Sequence, residues 1–373
     1  MVHLVSGKNH EGYMRVLLRT WLSLRRPVAD MPAKSALTQI RSRISYQFFE
    51  DAFRKQIADF EPHRPKYRGC HIYAIDGDQM TLPQSPDILR KGYRGYPCKN
   101  AKETYYPRMY VTHAVDVVCG VTKDIAYSTH NNECEAAVQM ARSFEKNSIT
   151  LYDRLHLSGD LIRAHHGAGN HLVARCRRGA TFGEVVRFFR SRRKRNDVFK
   201  VTGITVRLIK IKNPKTKRFD VFATTLPKGF LRNREIRFLY AYRWEAETCF
   251  RDFTSTMKAE QWHSKSMNGI LQEFFTALWL MNFAKIEIAK RKQTSDFMKV
   301  KYTRANFKLV VDFLADNIGL ALRRFSRALE KELNFLVDRS TEKRKKLSRS
   351  KPRQLRSAPS RYPYASLVER RAY

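Results

Sequence analysis

Tyr240-Ala-Tyr-Arg243-Trp-Glu-Ala-Glu247-Thr-Cys-Phe250-Arg251 is the stretch on which the reading of this chain turns. At about 100° per residue, an α-helix sets Tyr240, Arg243, Glu247 and Arg251 on one narrow stripe. Leu239, Tyr242, Ala246, Phe250, Phe253 and Met257 form a second, apolar stripe about 100° away. Such a helix buries the second stripe and aims a carboxylate, flanked by two guanidiniums and a phenol, elsewhere. A carboxylate among cations suits a metal ion and a polyanion meeting at one point. Upstream, Asp76 and Asp153 each stand where a strand is expected to end.

His71-Ile-Tyr-Ala-Ile-Asp76 is a short β-rich run closed by the acid and Gly77. After a Gly-, Pro- and Lys-rich loop (83–107), residues 109–120 and 121–128 read as two strands turning at Gly120. Asn132-Glu-Cys-Glu135 resembles a capping box opening a helix through Phe144. Ser148-Ile-Thr-Leu-Tyr-Asp153 is another strand ending at an acid, followed by a short helix near 160–165 and a strand at 171–176. This order predicts an α/β fold with a mixed sheet. Runs near 197–203, 204–212 and 218–225 make 179–224 a β-rich insertion, which carries the basic run Arg192-Arg193-Lys194-Arg195. The signature helix is expected over 234–258, a long amphipathic helix over 266–291 and more helix over 304–337. Near the N-terminus, 13–24 and 35–60 carry helix-spaced apolar residues, with Pro27, Pro32, Pro62 and Pro65 marking breaks.

The expected organisation is a helical region at 1–66, a core in two parts (67–178 and 225–292) around the insertion at 179–224, a helical region at 293–338, and a basic tail at 339–373 expected to be disordered.

With 43% hydrophobic residues, the 373-residue chain can bury one large core plus appendages, or two to three domains. Its net charge of +37 repels itself and calls for an anionic partner. Nucleic acid comes first, because 12% aromatic residues are too many for a merely disordered basic protein; anionic membrane comes second. The longest apolar run, 274–284, is broken by Thr276 and Asn282 and is too short to span a bilayer. The first residues, Met-Val-His-Leu-Val-Ser-Gly-Lys, show no apolar stretch with a small-residue cleavage site, so no secretion signal is expected. Six scattered cysteines without a CxxC pair suggest neither a zinc framework nor a disulfide scaffold, and fit a reducing cytoplasm. His165, His166 and His171 lack a metal-ligand partner at helical spacing and read as structural or surface residues.

Two or three carboxylates on rigid elements can bind a pair of Mg²⁺ ions about 3.5–4 Å apart, which clamp the attacking and leaving oxygens of a phosphoryl displacement. Hard oxygen ligands favour Mg²⁺ over zinc. Each acid alone has an ordinary reading: a strand-terminal Asp often caps a turn, and Glu is common on helices. Glu245, Asp78, Asp116 and Asp160 are further acids within reach of the same arguments. The combination of Asp76, Asp153 and Glu247 with their neighbours carries the case.

That combination resembles bacterial insertion-sequence transposases of the Asp-Asp-Glu (DDE) type, in the branch with a β-rich insert before the glutamate. The resemblance covers about 35–285. Asp76-Gly77-Asp78-Gln-Met-Thr-Leu82-Pro83 matches a first motif of Asp-Gly-Ser/Thr followed by Leu-Pro. Asp153-Arg154-Leu155-His156 matches half of Asp-Arg-Gly-Tyr. Tyr240, Arg243 and Glu247 match Tyr-x2-Arg-x3-Glu-x6-Lys, with Trp244 and Phe250-Arg251 as expected. His263-Ser-Lys-Ser266, Gly269 and Asn282 also fit. The acids lie 77 and 94 residues apart, and the longer gap houses the insert. Two departures stand out: Thr254 replaces the lysine and Asp78 replaces a small hydroxyl. On an unbroken helix Arg251 and Lys258 share the stripe of Glu247, and either could supply the missing cation.

The resemblance implies an RNase H-like core, a mixed five-stranded sheet with helices. It implies Asp76, Asp153 and Glu247 as catalytic residues and ligands of two Mg²⁺ (or Mn²⁺) ions. Tyr240, Arg243, Arg251, Lys258 and Arg154 would contact DNA phosphate, and Arg15, Arg19, Arg41 and Arg43 would take part in recognising the ends. The implied partner is double-stranded DNA, both terminal inverted repeats and target, bound by a homodimer in the bacterial cytoplasm at the nucleoid, with no membrane. The implied chemistry is strand cleavage by water, then attack of the freed 3′-hydroxyl on target DNA without a covalent protein intermediate. Hairpin and non-hairpin excision both stay open: all four tryptophans lie outside the insert, and Phe188, Phe189, Phe199, Phe219 and Phe222 are aromatic candidates within it. Two alternatives remain: a nuclease on the same fold without strand transfer, and a decayed or co-opted copy that only binds DNA.

Overall fold

The computed structural model describes residues 18, 21–22, 25–31, 33–96, 103–179, 182–213, 218–290, 303–317, 327–339 and 341–343. Most of the helix expected at 13–24, with Arg15 and Arg19, lies outside them, as does nearly all of the basic tail.

The centre is one mixed sheet. Its strands are β1 (Ile72–Thr81), β2 (Arg108–Asp116), β3 (Thr122–Ser128), β4 (Ile149–Tyr152), β5 (His171–Arg175), β6 (Asn196–Val201), β7 (Ile204–Lys212) and β8 (Phe219–Thr224), in the order β3-β2-β1-β4-β5-β8-β7-β6. β1, β4 and β5 run parallel, and every other neighbouring pair is antiparallel. Where they pair with one another the parallel strands are apolar, because both of their faces are covered. Ile72, Ala74, Leu151 and Val173 pack into one core, and Tyr73, Ile75, Tyr152 and Leu172 into the other.

The core contributes the five strands β3-β2-β1-β4-β5, and the insertion 179–224 adds three more to the same sheet, β8 pairing with β5 from Val173↔Thr224 to Arg175↔Phe222. β1 was expected to stop at Asp76; it continues to Thr81, because β2 pairs with its whole length, whereas β4 pairs only as far as Ala74↔Leu151. Asp76 therefore stands two residues beyond the two-sided part of the strand. The signature helix, expected as one run over 234–258, is interrupted. It consists of Asn233–Ala241, Trp244–Arg251 and a π-helical turn at Asp252–Thr256.

Helices cover both faces of the sheet. In chain order they are α1 (Lys34–Arg43), α2 (Gln47–Phe60), α3 (Pro86–Arg90), α4 (Glu133–Ser143), α5 (Gly159–Gly167), α6 (Gly183–Arg190), α7 (Asn233–Ala241), α8 (Trp244–Arg251), α9 (Met267–Ala289), α10 (Phe307–Asp316) and α11 (Arg327–Arg339). α4, α5 and α6 cover one face through Ala137, Met140, Leu161, Ile162, Val185 and Phe188. α2, α7, α8 and α9 cover the other, where Leu239, Tyr242, Ala246, Phe250, Phe253 and Met257 are all buried, as the apolar stripe requires.

α9 is almost wholly buried, and its polar side chains serve its neighbours. Asn282 pairs with both the N–H and the C=O of Thr122 at 2.9 Å, fixing the start of β3. Asn268 accepts from the Tyr46 N–H and donates to the Ile44 carbonyl, satisfying the break between α1 and α2. Glu273 accepts from Arg41 at 2.5 Å and from the His263 and Ser264 N–H groups. Arg41 is thus committed to the interior of the fold, whereas Arg43 is exposed. Among the described residues, no helix is long and apolar enough to cross a membrane.

Candidate active site

Asp76 and Glu247 meet on one guanidinium. Arg243 approaches Asp76 Oδ2 at 3.4 Å and donates to Glu247 Oε1 at 2.8 Å. The local break at 242–243 makes this possible. Arg243 caps α8, so its side chain lies one turn before Glu247, while buried Tyr242 anchors the junction against the core. Burial opposes the charge of Arg243, but the Tyr240 hydroxyl, Asp76, Glu247 and Asp153 together hold its pKa above the ordinary value. Burial pushes the Asp76 carboxyl up to about 6; Arg243 pulls it down, while Glu247 and Glu133 push it further up.

Asp153 stands one residue beyond β4, half-buried, and accepts from the Arg154 N–H. It acts electrostatically on Tyr240, Arg243 and Glu133. Arg154 itself is exposed. Tyr240 packs its ring on Phe222 of β8 at 5.1 Å, and burial pushes its hydroxyl above the usual phenol range, so it is neutral. Arg251 is exposed at the last turn of α8. Lys258 does not stay on the stripe of Glu247, because the π-helical turn changes the periodicity and Lys258 follows it in the left-handed region at φ 51°. The Thr254 hydroxyl turns back to the Phe250 carbonyl at 3.1 Å.

The competing acids are placed elsewhere. Asp116 lies opposite Tyr73 at the far end of β2, fully buried and capping the turn through the Val118 N–H. Asp160 is on the surface, paired with Arg163. Asp78 faces the same side of β1 as Asp76 but is exposed and accepts from the Gln79 N–H.

Sequence reasoning missed Glu133. Its position looked like part of a capping box, but the N-cap Asn132 makes no side-chain cap bond. Instead Glu133 Oε1 accepts from the Gly77 N–H at 3.0 Å and lies 3.1 Å from His156 Nε2. The His156 imidazole beside it, with smaller help from the Gly77 N–H, holds the Glu133 carboxyl below its ordinary pKa. His113, opposite Asp76 across β1–β2, is buried against Phe250, and burial lowers its pKa to about 4. The strand register brings His113 opposite Asp76, and the placement of the α4 N-terminus beside β1 brings Glu133 to Gly77.

Oxygen donors of this kind suit a hard divalent cation, and the guanidinium shared by Asp76 and Glu247 is a stand-in cation at that point. Among the described residues, no three Asp, Glu, His or Cys side chains are gathered into a metal-ligand set. Asp153 is in electrostatic reach of Arg243 but outside the pair that shares it.

The fold and site together define a mixed α/β protein whose acidic centre is edged by cations. The chain belongs to the transposase DDE domain family: the family model matches residues 70–283, more than half of the chain. The chain is 24% identical over 284 residues to "Transposase InsG for insertion sequence element IS4" of Escherichia coli (strain K12), covering 69% of this chain and 62% of that protein. It is 29% identical over 137 residues to "Putative transposase InsZ" of the same organism, covering 36% of this chain and 46% of that protein. It therefore spans less than two thirds of the length of these curated relatives. A piggyBac transposase, solved as a synaptic complex with hairpin DNA, aligns at 13% identity and a TM-score of 0.42 over 84% of this chain and 68% of that one.

Proposed function

We propose that this protein is an insertion-sequence DNA transposase that cleaves the ends of its element and joins the freed 3′-hydroxyl to target DNA. Membership of the transposase family supports the general reading. The meeting of Asp76 and Glu247 on Arg243 is the observation that carries the site. The order β3-β2-β1-β4-β5, with β2 alone running against the other four strands, supports an RNase H-like core extended by β8-β7-β6.

In this reading Asp76, Asp153 and Glu247 would hold two Mg²⁺ or Mn²⁺ ions. Such ions would supply Lewis-acid chemistry at the phosphate held there. Arg243 exchanges its carboxylate partners for a DNA phosphate, to which its planar fork is suited. Neutral Tyr240 donates a hydrogen bond to the same backbone, and Arg251 and Arg154 flank it from the surface. The exposed run Arg192–Arg195 at the start of β6 extends the basic track, with Arg195 over Phe219 at 4.4 Å. Lys258 contacts DNA from beyond the helix. The partner is double-stranded DNA, bound by a homodimer that handles both ends in the bacterial cytoplasm at the nucleoid.

The proposed boundaries are 1–66 for a DNA-binding helical region, 67–178 and 225–292 for the catalytic core, 179–224 for the insertion, and 293–338 and 339–373 for a helical region and basic tail. The test is to offer purified protein, Mg²⁺ and supercoiled plasmid a pre-cut end of the element bearing a 3′-hydroxyl. Joined product is expected. Cleavage without joining would support the nuclease alternative, and binding without either would support a decayed copy.

A further inference from the structure

We propose that Glu133 is a positioning residue that ties the Asp76 segment to the Asp153 segment. The inference rests on the transposase reading for its catalytic consequence, though not for the contact itself. β1 is gripped from both faces at two successive residues. Asp76 points to the α8 side, where it meets Arg243. Gly77 points to the α4 side, where its N–H meets Glu133.

The same Glu133 oxygen lies against His156, three residues after Asp153 in the loop that leaves β4. That loop is closed by the His156 N–H donating to the Asp153 carbonyl at 3.2 Å. His156 is 3% exposed, and neither ring nitrogen makes a hydrogen bond among the described residues, so the Glu133 carboxylate at 3.1 Å is the polar group set against its buried Nε2. Beyond Ala74↔Leu151 the ladder between β1 and β4 has ended, so backbone pairing no longer fixes the spacing of the two acids. Glu133 takes over that task.

Gly77 is required by the same contact. A Cβ there would lie 2.5 Å from Glu133 Cδ and 2.7 Å from Oε2, so any side chain at 77 displaces the carboxylate. The glycine of the first motif thus keeps space for Glu133 from the opposite side of the strand from the acid itself.

The experiment combines hydrogen exchange of the full chain without metal or DNA, Mn²⁺ titration, duplex binding and end cleavage. Glu133→Ala and Gly77→Ala should raise exchange of the peptide spanning 72–81 about tenfold, the size expected when a hydrogen bond to a charged acceptor is lost. Both should weaken Mn²⁺ binding and cleavage about 10–100-fold, with duplex affinity within about twofold. Glu133→Gln keeps the acceptor, so it should restore the exchange pattern and recover most of the cleavage. Unchanged exchange at 72–81 in Glu133→Ala would overturn the contact. Glu133→Gln as defective as Glu133→Ala would show that charge, not positioning, matters, and would overturn the assignment. An equal loss of duplex affinity and Mn²⁺ affinity would mark a merely structural residue. A wild type with the expected exchange pattern that cleaves nothing would overturn the transposase reading and leave the Glu133 contact standing.

Discussion

Arg243 reaches Asp76 at 3.4 Å across the interface between β1 and the α7–α8 junction, while its other terminal nitrogen holds Glu247. Two carboxylates remote in sequence are therefore balanced by one buried cation. Removing that cation leaves them facing each other with burial unchanged. Arg243→Ala is expected to weaken duplex binding about tenfold, the loss of one charge-assisted contact, and to abolish cleavage. It should also tighten Mn²⁺ binding, because the competing guanidinium is gone. Isothermal titration with Mn²⁺ and with duplex DNA reads the two effects separately; weaker Mn²⁺ binding would contradict the stand-in role.

Glu273 predicts how the fold responds to acid. Although burial opposes its charge, His263, Arg41 and the His263 N–H bring its pKa down from 4.5 to about 2. A carboxyl depressed by folding stabilises the native state above its unfolded value and loses that contribution as pH falls toward the folded one. The shift corresponds to roughly 3 kcal/mol. Glu273→Gln should be less stable by that order at pH 7, and the difference should shrink between pH 5 and 2. Urea unfolding across that range checks both the sign and the window.

Lys210 is buried in β7 and donates to the Phe188 and Ser191 carbonyls at 2.6 and 2.7 Å, closing the C-terminal end of α6 before the basic run. Lys210→Met strands those carbonyls and should cost about 1–3 kcal/mol, read by urea unfolding.

The run after α6 gives a separate salt prediction. Replacing exposed Arg192 and Arg193 by Ala should lower the slope of log affinity against log salt by about two if both neutralise phosphates. An unchanged slope would mean that this surface only faces solvent.

What the sequence disclosed follows from local periodicity. The stripe from Leu239 to Met257 is buried, and strands appear at 109–116, 149–152 and 204–212 as their β-branched runs require. What it concealed depends on non-local pairing. Nothing near Asp76 tells that β2 carries β1 on to Thr81, or that β8 will find the free edge of β5. A helical wheel cannot foresee the break at 242–243 or the π-helical turn that removes Lys258 from the stripe. Glu133 was hidden for a different reason: an acid in the first turn of a helix has a sufficient local explanation, and only the fold brings it to Gly77.

The central claim is that Asp76, Asp153 and Glu247 act as one centre. Asp153 is the most exacting test, because it alone stands outside the shared guanidinium. End cleavage with Mg²⁺ should be measured for Asp76→Asn, Asp153→Asn and Glu247→Gln beside the wild type, with duplex affinity as the control. Each variant should lose cleavage by about 100-fold or more and keep duplex affinity within about twofold. Wild-type cleavage by Asp153→Asn would contradict the account.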